Sequence, residues 1–152
     1  MKNQAYYSFF EINKRRDKIT VYNNLKFREF ANASKAKLYI ENSVRLVDYI
    51  MKSALNVQYD LTTVIAKHKL HCKDQNLTRN YLTSLNKCQM KYYDVTMMFY
   101  TPVKRIHSMY DMLLELITLC IKLEKKRLIK LCNELMDSFY YVFDYNVLRP
   151  KE

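Results

Sequence analysis

The sequence predicts an all-α protein, an antiparallel bundle of three long helices preceded by a short irregular or helical N-terminal segment. Three observations carry that expectation. The 152 residues contain no glycine and only two prolines, so the residue that primed hairpin turns, phosphate-cradling loops and left-handed helix caps lean on is missing. Apolar residues recur at three- and four-residue steps over most of the chain after residue 34, the stripe of an amphipathic helix. The gaps between these stripes are polar and contain capping residues, which mark helix ends.

Residues 1–33 form the least regular segment. Asn3–Lys14 suits a short helix carrying Tyr6, Tyr7, Phe9 and Phe10, and Lys14-Arg15-Arg16-Asp17-Lys18 is a charged break. Lys18–Tyr22 has the alternation of a strand but is very short. Asn23 and Asn24 are placed to cap a helix beginning near Leu25.

The first long helix is expected over 34–73, with Ser34 as N-cap. Its stripe reads Ile40, Val44, Val47, Met51, Ala54, Leu61, Ile65, His68, Cys72, with Val57 or Gln58 filling the middle. Glu41–Arg45 and Asp48–Lys52 are acid-before-base pairs one turn apart. A break at Asn56–Asp60 is the alternative to one continuous helix. Lys73-Asp74-Gln75-Asn76 is a polar connector, and a second helix is expected over 76–100 with Leu77, Tyr81, Leu85, Cys88, Tyr92 and Val95 on its stripe. Thr101-Pro102 then opens a third, because threonine caps and proline at the first helical position loses no hydrogen bond. That third stretch, 102–145, is far longer than its neighbour. Either it overhangs as one helix or it bends at Glu124-Lys125-Lys126-Arg127, the polar gap in its stripe. All of 1–152 reads as a single helical domain.

Composition narrows function. Half the residues are hydrophobic and the net charge is +11, which favours acidic partners without choosing among them. Without glycine there is no P-loop or dinucleotide fingerprint. No apolar run reaches membrane-spanning length, and the start carries no signal-peptide core. The expectation is an intracellular protein, cytoplasmic or nuclear rather than secreted, whose four cysteines stay reduced. The abundance of Tyr, Lys, Asn and Ile fits an AT-rich coding sequence, such as those of large DNA viruses, ciliates and some parasites.

Four constellations bear on chemistry. His68 and Cys72 share a helix face with Cys88 on the next helix, an incomplete zinc set that lacks paired ligands in its second half. Cysteine–histidine catalysis needs an activated thiol, yet Cys120 and Cys132 lie on or beside the apolar stripe. Lys14, Arg15, Arg16 and Lys18 form one basic cluster, and Lys122, Lys126 and Lys130 form another that would lie on one stripe of a continuous helix; phosphates reward such spacing. Ser138–Tyr145 is aromatic nearly all round, so one face packs inward while Tyr140, Tyr141 or Tyr145 is left for a partner. The leading expectation is therefore a non-catalytic protein–protein interaction module, an adaptor, regulator or assembly subunit that contacts a protein partner or itself. It requires no cofactor and no small-molecule substrate. A basic nucleic-acid-binding protein is the alternative, and a zinc- or thiol-dependent enzyme comes third.

Overall fold

The computed structural model describes residues 4–23 and 26–144. A short helix α1 (Gln4–Tyr7) leads into strands β1 (Glu11–Arg15), β2 (Lys18–Tyr22) and β3 (Phe27–Phe30). Four longer helices follow: α2 (Ala33–His71), α3 (Gln75–Thr96), α4 (Pro102–Lys122) and α5 (Lys126–Phe143). The expected three-helix bundle with a short N-terminal tail is thereby corrected. The described residues form five helices and a three-stranded antiparallel sheet, in the order β1-β2-β3.

The sheet arises where the sequence promised only a strand-like fragment. Ile12 pairs with Val21 and Lys14 with Ile19 across the first hairpin, and Val21 pairs with Arg28 across the second. Lacking glycine, the β1–β2 turn places Arg16 at φ 45, a conformation that costs an L-residue about 1 kcal/mol. Where a helix beginning near Leu25 is expected, Phe27–Phe30 is strand; Asn24 and Leu25 lie outside the described residues. Asn23 caps a turn instead: its Oδ1 accepts from the Lys26 N–H at 2.8 Å, and its own N–H bonds Lys26 O. Only Val21 of the three strands is fully buried, so the sheet is a cover held to the helices through one face of β2 and through Phe30 of β3.

Helix α2 runs unbroken for 39 residues, about 58 Å long, with no interruption at Asn56–Asp60. Its N-cap is Asn32 rather than Ser34, and the i,i+4 pair Asp48–Lys52 forms at 2.8 Å. Asp74 caps α3 and Thr101 caps α4 with Pro102 in the first turn. Helix α3 ends at Thr96, short of the expected residue 100, which leaves Met98 and Phe99 exposed in the connector.

The third long stretch is two helices. Leu123 ends α4, Glu124 takes the left-handed conformation at φ 57, and the Glu124 and Lys125 N–H groups bond Ile121 O and Cys120 O. This is a Schellman motif built without glycine. The break falls at the polar gap of the stripe, but its cause is a backbone reversal and not only packing. The reversal sends α5 back against both α4 and α2, so that α2, α3, α4 and α5 close into a four-helix bundle. Because α2 is nearly twice the length of α3, its N-terminal part outruns the bundle. That part is covered by β2, β3 and α1, with Tyr39 of α2 lying against Phe10 and Phe30.

Candidate interaction surfaces

Helix α5 puts Phe139, Val142 and Phe143 into the core. Phe9 meets the Phe143 ring edge-on at 5.5 Å and Phe10 stacks on it at 6.4 Å. Asn23 Nδ2 donates to Val142 O at 3.1 Å, and Lys26 pairs with Asp144 at 3.2 Å. The N-terminal segment therefore covers one side of the aromatic helix end. On the other side, Tyr140 is half-buried against Tyr110 and Phe139, with ring centroids at 6.3 and 5.9 Å. Burial first, then a side-chain hydrogen bond with Tyr140, pushes Tyr110 up to about 12. Tyr141 is 69% exposed. Tyr145 lies outside the described residues.

The zinc candidates are not brought together. Among the described residues no three His, Cys, Asp or Glu side chains gather as a ligand set. His68 Nδ1 lies 2.9 Å from Thr78 Oγ1, and its ring stands edge-on to Tyr81 at 5.1 Å. Cys72 closes α2 at its C-cap, with its N–H on His68 O. Cys88 is buried elsewhere, near Cys120 and Glu115; burial first, then these two, push its thiol up to about 12. Cys132 shares a hydrogen bond with Cys120, and that bond and burial also push the Cys132 thiol up. Thiols held protonated in this way are poor nucleophiles.

The seven residues of the two basic clusters lie on exposed surface. Lys14, Arg15, Arg16 and Lys18 sit at the tip of the β1–β2 hairpin, where Lys18 reaches Glu29 at 3.5 Å. Lys122 belongs to α4 while Lys126 and Lys130 belong to α5. The reversal at Glu124 thus splits the single stripe they would make on a continuous helix.

Two features escaped the sequence reading. Arg105, in the first turns of α4, is 1% exposed. Its Nε donates to Val95 O at 2.7 Å, one terminal nitrogen to Ser8 Oγ at 2.7 Å and the other to Ala5 O at 2.6 Å. The guanidinium also lies 4.4 Å from the Phe9 ring centre, and burial lowers its pKa. One buried cation thus ties α1, the end of α3 and the start of α4 together. Its signal was faint: Arg105, Met109, Met112 and Leu116 make a second line beside the main stripe, and all four are buried.

The second feature is a groove of about 610 Å³ between α2 and α3. Leu55, Gln58 and Tyr59 line it from α2, and Gln89, Tyr92 and Tyr93 from α3. Tyr59 is 77% and Tyr93 62% exposed. Burial and the neighbouring Asp48 raise the Tyr92 phenol, which stays neutral. Gln58 is 3% exposed, and its Nε2 is the buried side-chain nitrogen or oxygen left without a hydrogen-bond partner among the described residues.

No helix among the described residues is long and apolar enough to cross a membrane. The chain matches no protein-family model, no curated protein and no solved structure.

Proposed function

We propose that this protein is a non-catalytic helical module for protein–protein contact. The observation that supports it is the set of aromatic side chains held in solvent on a packed helical frame: Tyr59, Phe99, Tyr141 and Tyr93 are each more than half exposed. Aromatic rings with a polar end give large contact area at low conformational cost, which is why they anchor interfaces. Tyr141 shares α5 with a fully buried face, so a partner meets it on a rigid support. The test compares two neighbours. Tyr141→Ala should weaken self-association in sedimentation, or retention of a co-purifying protein, by about tenfold, with an unchanged melting temperature. Tyr140→Ala should lower the melting temperature. If Tyr141→Ala melts the fold as Tyr140→Ala does, or leaves association untouched, the α5 contact is lost.

A second reading rests on the hairpin tip. Lys14, Arg15 and Arg16 are exposed there, with no ion pair among the described residues. Backbone phosphates of a nucleic acid suit such a tip. Binding to DNA or RNA that falls steeply with salt, and falls again in Arg15→Ala/Arg16→Ala, would favour it.

A further inference from the structure

We propose that the groove between α2 and α3 binds an extended, proline-containing segment of a partner protein. Tyr59, Tyr92 and Tyr93 would hold it, and the Gln58 carboxamide would bond it. The inference rests on the interaction-module reading and names one site and one ligand chemistry for it.

Gln58 is the first reason. A buried amide with an unmet donor is costly, and native folds keep few of them. A leucine here would complete the apolar stripe of α2, whose flanking members Ala54, Leu61 and Ile65 are all buried. Gln58 is instead retained among the residues that line the groove, with its Nε2 buried and unpartnered. Its terminal torsion is soft, so rotation of the carboxamide can turn the unmet Nε2 donor to a carbonyl of a bound peptide.

Charge is the second reason. The protein carries +11, yet the groove is lined by Leu, Asn, Gln, Tyr and Thr alone. A site for an anion would draw on the abundant lysines. This one selects a neutral ligand with hydrogen-bonding groups.

Length is the third. The α2 lining from Leu55 to Thr62 spans about 10 Å, and the α3 lining from Gln89 to Tyr93 about 6 Å. Three residues of polyproline II at about 3.1 Å each fill that length. A partner helix has its carbonyls already bonded, whereas polyproline II has no internal hydrogen bonds and offers every carbonyl. Tyrosine-lined grooves with a few donors are how such segments are read.

The probe is a capped hexaproline peptide, with a capped Gly-Ser hexapeptide of equal length as control, titrated into the full chain by NMR. Hexaproline should shift the amides of 55–62 and 89–93, and the control should not. Gln58→Leu should weaken hexaproline binding about five- to tenfold while raising the melting temperature, since it removes the unmet amide. Tyr93→Ala should weaken binding at least as much with the fold intact. Equal binding by Gln58→Leu and wild type, shifts confined to other residues, or no saturation would each overturn the proposal. So would sedimentation showing a dimer that protects Tyr59 and Tyr93, because the occupant would then be a second copy. A partner lost on Tyr141→Ala with no hexaproline binding sinks the groove and leaves the module reading standing. Hexaproline binding in the groove with a Tyr141→Ala variant that still holds its partner does the reverse for the α5 contact.

Discussion

Arg105 shows how one residue sets the position of several elements. Its three bonds end on Val95 O, Ala5 O and Ser8 Oγ, and its plane covers Phe9. Arg105→Met keeps the volume but takes the donor from Val95 O and leaves Ala5 O with the Ser8 hydroxyl alone. At about 1–3 kcal/mol for an unmet buried group, the variant should lose about 2 kcal/mol in urea unfolding. Arg105→Lys should not restore it, because one ammonium cannot reproduce a planar fork. Full stability in Arg105→Met would show the guanidinium to be dispensable. A second residue-scale expectation comes from buried acids. Tyr6 and Cys88 are pushed up to about 12, chiefly by burial, and Tyr110 likewise by burial and its bond to Tyr140. Each is favoured neutral in the fold, so its share of stability is complete below its unfolded value, 9.0 for the thiol and 10.0 for the phenols. That share is lost as pH rises towards the folded values. Denaturant midpoints should therefore change little through these groups below pH 9 and fall steadily between pH 9 and 12. A midpoint that rises across this window would contradict the assignment.

At the scale of elements, the α4–α5 reversal is the decisive feature, and Glu124 carries it at φ 57. Glycine adopts that conformation without steric penalty, whereas a β-carbon costs about 1 kcal/mol. Glu124→Gly should raise the melting temperature by about 2–4 °C. A continuous helix through 124 would instead be weakened by the same change, so the sign of the shift separates the two structures. This also explains what was legible in the sequence. The capped starts at Asp74 and Thr101-Pro102 and the long α2 stripe could be read because caps and 3.6-residue periodicity are local signals. The reversal could not, because a glutamate in a left-handed turn looks like any exposed glutamate. β1 could not, because all five of its residues are exposed and no apolar alternation exists to see. Periodicity left Tyr140, Tyr141 or Tyr145 for the outer face without choosing among them, and Gln58 looked like filler in a stripe until α3 supplied the other wall of its groove.

For the whole molecule, the bundle and the N-terminal cover answer one geometric problem. Helix α2 is about 58 Å long and α3 about 33 Å, so packing among the long helices alone leaves part of α2 and the end of α5 bare. The N-terminal segment supplies the missing surface: Phe9 and Phe10 on Phe143, Phe10 and Phe30 on Tyr39, Asn23 on Val142 O, and the Arg105 clamp on Ala5 and Ser8. Removing residues 1–31 should therefore leave the four long helices formed but expose Phe143, Val142 and Ile40. It should also orphan two of the guanidinium's three bonds. The truncated chain should keep strong helical circular dichroism, lose at least 3 kcal/mol of stability and bind a hydrophobic dye or self-associate through the uncovered aromatic end. The urea m-value should fall as well, because less surface is buried on folding. Wild-type stability and no dye binding in the truncated chain would show that the four helices bury their own apolar faces, and the sheet would then have to be explained by something other than cover.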